Sequence, residues 1–594
     1  MKMTREKLHA LSSALPSFAR FALGAPTLHP KALNGPDIML RHAAWRYADR
    51  DALRFEARRW TWSAFNQDVE RWAAALQALG LKAGDQFALL MDNRPAFLML
   101  YHAANRLGVV PALLNTSLSG PALAHVLQAV ELDLVIVGSE HAAKLQDDEV
   151  EASAAGALPV WVVADDDAPA DCTLPPRFHW LTPAPLGARV PLRPQRMGDL
   201  SCYIYTSGTT GFPKAALIRN QRVAAAGALF GRIMHRVRAG EVIYIPLPLY
   251  HTNALGLAWG ACLATGATAA LRRRFSVSRF WDDVEHYGVT SFIYIGELCR
   301  YLVQAPPHPK ERGHGLRSAV GNGARADVSK AFSARFGVPA VREFYGSTEG
   351  NAFTLNISGR PGMIGKMRRG QAVLRCDLTT GELERDAKGR AILCKVGETG
   401  LFAGKMNDLV AFDGYADPEA NQKKVLRNVL RDGDQWFDTS DLVQLHEGKW
   451  LSFVDRLGDT YRWKGENVST AEVESLLARA PSVQECAVLG VPVPHAEGRA
   501  GLAVLRVDEG FELSTFCAFL EASVPRFQQP RFFRFVDEAM ETTGTYKIKK
   551  SLYAELGFAP AAGRSDAYLY ARGMAEPIDD ALYTALMHGQ RVPD

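Results

Sequence analysis

Between residues 30 and 450, short runs of β-branched and aromatic residues alternate with amphipathic stretches of helical period. Strand-like runs stand at 87–91 (FALLM), 133–137 (DLVIV), 160–164 (VWVVA), 242–245 (VIYI), 291–295 (SFIYI) and 317–320 (RSAV). Helical spacing marks the stretch from Tyr101 to Leu107 and residues 278–287 and 326–336. Short apolar strands separated by helices bury both of their faces, so the pattern predicts an α/β fold of parallel, doubly wound sheets. Between 380 and 445 helical spacing thins and glycines increase, which predicts a smaller β-rich subdomain. Residues 140–200, rich in Ala, Asp and Pro, predict surface loops. Near 458 the pattern restarts as a compact α+β unit: FVDRLGDTYRWKGENV, a helix (TAEVESLLARA), two strands (ECAVLGV, AGLAVLRV) and a further helix (STFCAFLEASV). The expected division is a multi-subdomain body over 1–457 and a mobile domain over 458–594. Gly458 is the expected hinge, because glycine accepts large φ/ψ changes at little steric cost.

One stretch imitates a membrane span. Residues 242–271 contain no Asp, Glu, Lys or Arg, carry Gly256 and Gly260 at GxxxG spacing, and end in Arg272-Arg273-Arg274. Pro246, Pro248, His251 and Asn253 interrupt the first part, and Ala, Gly and Thr dominate the second, so a buried strand, a loop and a core helix are predicted instead. At the N-terminus Leu8, Leu11, Leu15 and Phe18 share one helical face, but Pro16 and Arg20 break any signal-peptide core. That face predicts packing on the protein body, with a weak interfacial anchor on anionic lipid as the alternative.

Composition narrows the classes that remain. A length of 594 residues corresponds to roughly four structural units at about 150 residues each. With 68 basic and 64 acidic residues the net charge is +4, which gives no electrostatic footprint for nucleic acid. Eight cysteines without a CxxC pair or zinc spacing read as a reduced, cytoplasmic protein lacking a disulfide framework.

The chemistry is concentrated in Tyr203-Ile-Tyr-Thr-Ser-Gly-Thr-Thr-Gly-Phe-Pro-Lys214. An apolar strand runs directly into four hydroxyl residues, two glycines and a lysine. Glycines let backbone N–H groups turn inward, hydroxyls donate to phosphate oxygens, and lysine adds a point charge. The G-x-x-x-x-G-K-[ST] spacing of a Walker loop is absent.

TSGTTGFPK resembles the phosphate-binding signature of the acyl-adenylate-forming superfamily. The resemblance continues through PLYHTNAL (248–255), GNGA (321–324), EFYGSTEGN (343–351), FDTSDLV (437–443), DRLGDTYRWKGENVST (455–470) and TTGTYKIKK (542–550), and so covers nearly the whole chain. RFSVSRFWDDV, YIGELCRYL, FYGSTEGN, RWKGENVSTAEVE and EGRAGLAVL are similar to the very-long-chain acyl-CoA synthetase and fatty acid transport protein branch.

That resemblance implies a role for each residue. Thr206, Ser207, Gly208, Thr209, Thr210, Gly211 and Lys214 would cradle the β,γ-phosphates of ATP. Glu349 would hold Mg²⁺, and Thr348 would lie on the α-phosphate. Tyr345, with Gly346 beside it, would stack on adenine, and Gly321, Asn322 and Gly323 would line the base. Asp441 would accept from the ribose hydroxyls with help from Arg456. Lys547 would bridge the substrate carboxylate and the α-phosphate, Lys549 and Lys550 being the other candidates. His251 would sit by the carboxylate as a base, a gate or a packing residue, and Gly465 near the coenzyme A tunnel. Two positions depart from the family pattern: Ser440 stands where glycine usually precedes the ribose aspartate, and Gly458 where Asp or Lys often marks the hinge.

The implied activity is ATP-dependent activation of a long- or very-long-chain fatty acid to acyl-AMP, then transfer to coenzyme A. The implied partners are the fatty acid and a membrane surface touched peripherally, with the oligomeric state, a homodimer included, left open. The rivals are a bile-acid or carnitine-type CoA ligase, an acyl-AMP ligase loading a carrier protein, and a non-enzymatic fatty-acid uptake protein.

Overall fold

The computed structural model describes residues 29–594 apart from 166–173, 207–211, 379, 407–411, 464–465, 497, 543–547, 562–565, 592 and 594. The N-terminal amphipathic stretch over Leu8–Phe18 therefore lies outside the described residues. The chain divides into two compact units, one formed by the chain up to Gly365 together with Met406–Val425, the other by Lys366–Lys405 and Leu426–Asp594.

Two largely parallel sheets build the first unit. One has seven strands in the order Phe178–Trp180, Val160–Val163, Leu134–Gly138, Gln86–Leu90, Val110–Leu113, Leu200–Thr206 and Lys214–Arg219, parallel except for the last pair. The other has eight: Phe353–Asn356, Ala340–Gly346, Ser318–Asn322, Ser291–Ile295, Val242–Ile245, Thr268–Leu271, Asp51–Phe55 and Arg58–Thr61, antiparallel only at its two edges. The expected strands are all present, and the periodic segments form helices at Pro95–Leu107, Phe280–Tyr287 and Ala326–Phe336. Within 140–200 the structure adds one edge strand, Phe178–Trp180, beside the expected Val160–Val163.

The uncharged stretch 242–271 forms a buried strand (Val242–Ile245), a π-helical segment (Asn253–Trp259), a short helix (Gly260–Thr265) and a second strand (Thr268–Leu271) that the sequence reading did not anticipate. Gly260 serves close packing: a Cβ on Gly227 of the neighbouring helix Asn220–Leu229 would lie 2.4 Å from the Gly260 carbonyl oxygen. The arginines that follow pin loops rather than meet lipid. Arg272 pairs with Asp283 at 3.0 Å, Arg273 with Glu56 at 2.8 Å and with Asp165, and Arg274 with Asp92 at 3.2 Å. Asp92, Glu140 and His141 come close enough to share a cation. They are already engaged, His141 and Arg274 with Asp92 and Arg94 with Glu140, and they form an ion-pair cluster between loops. Buried Asn93 ties the two sheets together, donating to the Leu247 and Arg272 carbonyls and accepting from the Leu249 amide at 2.7 Å. Among the described residues all seven cysteines are free, and no helix is long and apolar enough to cross a membrane.

The second unit opens with an antiparallel sheet of Gln371–Leu374, Thr399–Lys405, Gln435–His446 and Trp450–Arg456, the β-rich part expected from the glycine content. Beyond it a five-stranded sheet (Val483–Pro492, Arg499–Val507, Phe532–Phe535, Ala567–Ala571, Met574–Pro577) packs with helices Thr470–Leu477 and Leu513–Ser523. Val488, Leu502, Phe516, Phe533 and Tyr570 are among the side chains of its core.

Two core histidines make the first unit acid-sensitive. The Trp259 indole donates to His102 Nε2 at 2.8 Å, which requires that nitrogen to be unprotonated, and His235 Nδ1 lies 2.7 Å from the Ser291 hydroxyl. Burial, assisted by Arg106 beside His102 and Arg342 beside His235, lowers both to about 3. The unfolded chain binds protons at these sites below the ordinary value of 6.5 while the folded chain does not, so stability falls as pH drops through that value. At pH 5 the loss is about 2 kcal/mol per histidine. Urea midpoints of the first unit's transition at pH 7 and pH 5 measure it, and His102→Leu should remove about half of the difference.

Candidate active site

The strands on either side of the phosphate-loop motif form an antiparallel pair. Thr206 ends Leu200–Thr206, Lys214 begins Lys214–Arg219, and the two residues face each other across the pair. Ser207, Gly208, Thr209, Thr210 and Gly211 lie outside the described residues. Phe212, which follows them, stacks on His125 with centroids 4.8 Å apart. Beyond Lys214 the strand edge is covered by the segment around Tyr415: the Leu217 amide donates to the Gly414 carbonyl, and the Ala416 amide to the Ala215 carbonyl.

The second sheet carries the nucleoside candidates. Ser318–Asn322 and Ala340–Gly346 are parallel neighbours, so Gly321 and Asn322 end beside the strand that carries Tyr345 and Gly346. A Cβ on Gly321 would fall 2.2 Å from the Tyr294 carbonyl, and Gly323 has φ +80°, a left-handed value that suits glycine. Behind this turn Glu343 is fully enclosed. Burial pushes its carboxyl up to about 8, against the lowering effect of hydrogen bonds from the Tyr294 hydroxyl and the Ala324 and Gly323 amides.

Thr348 and Glu349 follow in a turn that one side chain holds. Arg222, on helix Asn220–Leu229, donates to the carbonyls of Thr348, Glu349 and Gly350 while its Nε sits 3.2 Å from Asp413. Arg219 approaches the same carboxylate at 3.1 Å. The Arg222 stem also lines a narrow apolar cavity with Ile204, Ile218, Val223, Ala226, Leu255 and Gly256. At its polar end the Thr252 hydroxyl lies 3.4 Å from the Thr348 hydroxyl, and the Asn253 amide donates to Asn322 Oδ1 at 2.8 Å. His251 packs edge-on against Tyr250 at 4.7 Å, one residue before Thr252. Ile204 of the strand before the motif thus shares a cavity wall with Arg222 and Thr252, which reach Thr348, while the next residue, Asn253, reaches Asn322. Arg222, Thr252 and Asn253 went unnoticed in the sequence, where PLYHTNAL was read for His251 alone and a lone arginine after a strand carries no local signal.

In the second unit Asp441 and Arg456 are partners across the strands Gln435–His446 and Trp450–Arg456, with Arg456 Nε 3.6 Å from Asp441 Oδ1. Asp441 is nearly buried, and its amide donates to Thr439 Oγ1. Ser440 has φ +57°, which explains why glycine suits this position. Its amide donates to Asp438 Oδ1 at 2.6 Å, and the Leu457 amide donates to its carbonyl, so neighbours hold the strained backbone. A left-handed non-glycine residue costs about 1–2 kcal/mol. Ser440→Gly should therefore raise the stability of this unit by about 1 kcal/mol, read as an increased urea midpoint. Gly458 follows in a tight turn with φ +94°. Lys549 pairs with Glu541 at 3.1 Å, and largely buried Lys550 with Glu474 at 2.8 Å and the Thr470 hydroxyl at 2.9 Å. Gly465 and Lys547 lie outside the described residues, although Thr542 and Ile548, which flank the loop carrying Lys547, form an antiparallel bridge.

The family model of the AMP-binding enzyme matches residues 40–400, and that of the AMP-binding enzyme C-terminal domain matches residues 472–547. The chain is 37% identical over 537 residues to the medium/long-chain-fatty-acid–CoA ligase FadD6 of Mycobacterium tuberculosis, covering 90% of this chain and 88% of that protein. It is 36% identical over 547 residues to long-chain fatty acid transport protein 1 of Homo sapiens, covering 89% and 83%. Among solved structures, ATP-bound MatB from Rhodopseudomonas palustris superposes with a TM-score of 0.71 at 23% identity over 88% of this chain and 99% of that one, a likeness of fold. With both family models matched in chain order, the chain belongs to the AMP-binding enzyme family.

Proposed function

We propose that the protein is a ligase that activates a long- or very-long-chain fatty acid with ATP, forming acyl-AMP and pyrophosphate, and then passes the acyl group to coenzyme A. The observation that carries this reading is the convergence of Thr252 and Arg222 on Thr348, beside the strand that leads into the hydroxyl- and glycine-rich motif. An alkyl chain gains about 0.8 kcal/mol per methylene it buries, so a long acid draws most of its affinity from apolar contact. Similarity to fatty-acid CoA ligases over most of the chain supports the same substrate class.

In this reading Thr206, Lys214 and residues 207–211 bind the β,γ-phosphates. Tyr345, Gly346 and the Gly321–Gly323 turn hold adenine, and Asp441 with Arg456 holds the ribose. Glu349 fits a divalent cation: it is 7% exposed, and its carboxylate makes no hydrogen bond or ion pair with any described residue. A bound Mg²⁺ would neutralise phosphate charge as pyrophosphate leaves. Lys547 would steady the two anions as the carboxylate attacks, a role that fits the engagement of Lys549 and Lys550 elsewhere. His251 borders the carboxylate end, where no base is needed because the substrate is already ionised. Thioester formation then needs the C-terminal part to turn about Gly458, bringing Gly465 toward coenzyme A. Fatty acids partition into bilayers, so peripheral membrane contact belongs to the same proposal.

Pyrophosphate release and thioester formation across a panel of acids of different chain length test the reading. Turnover should be highest with long saturated acids. Activity confined to branched, aromatic or bile-type acids would refute the substrate class, and pyrophosphate release without a thioester on coenzyme A would point to an acyl-AMP ligase.

A further inference from the structure

The strand Val242–Ile245 runs out at Pro246 and Pro248, neither of which has an N–H to continue a ladder. The backbone groups that follow find their partner in one side chain from the other sheet. Asn93, 4% exposed and just past the strand Gln86–Leu90, donates to the Leu247 carbonyl at 2.8 Å and accepts from the Leu249 amide at 2.7 Å. Those are the two bonds that a residue of a parallel strand makes to the residues on either side of its partner, here Pro248. Its second N–H goes to the Arg272 carbonyl at 3.0 Å, just beyond the strand Thr268–Leu271. One planar amide thus extends the sheet past the ends of two of its strands. The residues flanking Asn93 are anchored as well, Asp92 to Arg274 at 3.2 Å and Arg94 to the Val163 carbonyl at 2.9 Å.

The segment held in this way leads straight to the site. The His251 amide donates to the Pro248 carbonyl at 3.1 Å and closes a turn. The Thr252 hydroxyl then lies 3.4 Å from that of Thr348, and the Asn253 amide donates to Asn322 at 2.8 Å. We infer that Asn93 is a positioning residue for acyl-adenylate formation: it fixes the backbone of Leu247–Leu249 and so sets where His251 and Thr252 stand against the carboxylate of the acid. The residue type follows from the bonds. Two donors and one acceptor in a single short planar group describe asparagine, whereas aspartate keeps the acceptor for Leu249 and turns its other oxygen toward two carbonyls.

The inference rests on the reading that residues 246–252 border the acid, and the test separates the two. Wild type, Asn93→Asp, Thr252→Val and the double variant are assayed for acid-dependent pyrophosphate release, with the acid and ATP varied in turn. In Asn93→Asp, kcat/KM for the acid should fall about a hundredfold, its KM should rise about tenfold, and KM for ATP should stay within about twofold of wild type. A smaller folded fraction lowers kcat and leaves both KM values in place, so an unchanged acid KM in folded Asn93→Asp overturns the inference. Thr252→Val, which removes the hydroxyl at constant shape, should lower kcat/KM for the acid about tenfold. Because Asn93 acts through the segment that carries Thr252, the double variant should be no slower than Asn93→Asp; a product of the two losses, about a thousandfold, also overturns the inference. Asn93→Ser, which removes the amide outright, decides by the same measurements if Asn93→Asp does not fold. If wild type releases no pyrophosphate with any acid, the functional reading itself fails.

Discussion

Lys547→Ala should abolish acyl-adenylate formation while leaving thioester formation from supplied acyl-AMP largely intact. The first half-reaction brings a carboxylate against the polyphosphate of ATP, and one cation at the point of contact stabilises both as negative charge builds on the α-phosphate. Loss of such a contact costs about 3–4 kcal/mol of barrier, roughly a 10²–10³-fold drop in rate. The second half-reaction starts from a mixed anhydride whose carboxylate charge is already gone. Acid-dependent pyrophosphate release measures the first step, and coenzyme A consumption with synthetic acyl-AMP measures the second. Loss of the second step alone would remove Lys547 from its role. Lys550→Ala is the informative control: it leaves Glu474, half-buried and bonded to the Val488 amide, without its cation, so its main effect should be on stability.

Arg222→Met should slow adenylation about a hundredfold and move its Mg²⁺ dependence to higher concentration. The guanidinium holds the carbonyls of Thr348, Glu349 and Gly350 from one side. Hydrogen bonds from a charged donor contribute about 1.5–3 kcal/mol each, so the turn that presents Glu349 loses its main anchor when they go. Methionine retains the apolar stem in the cavity wall and thereby isolates the effect of the guanidinium. Arg222→Lys should recover little, because an ammonium cannot span three carbonyls and Asp413 in one plane. A variant with the wild-type rate and wild-type Mg²⁺ titration would show that the turn holds its shape without Arg222.

Much of this was legible before any coordinates. The strands at 242–245 and 291–295 and the helix at 326–336 fall at the residues marked by apolar periodicity. Periodicity reports burial locally, and these segments are buried on nearly every side. The departure at Ser440 was visible as a residue type, but its cause, a left-handed backbone at a strand irregularity, was not. The stretch 242–271 reads as interior, yet its two strands pair with each other and, on their outer sides, with Ser291–Ile295 and Asp51–Phe55, a register that composition does not encode.

By itself, then, the sequence determined most of the strands and helices and the family, because each is written in contiguous residues with a local physical meaning. Only the tertiary structure decided that Arg222 reaches a turn 126 positions away, that Asn253 is bonded to Asn322, and that Glu343 closes the back of the base turn. The reason is geometric. A motif is recognised by the groups it carries, whereas a positioning side chain is recognised by the distant backbone atoms it satisfies, and those become its neighbours only when the chain has folded.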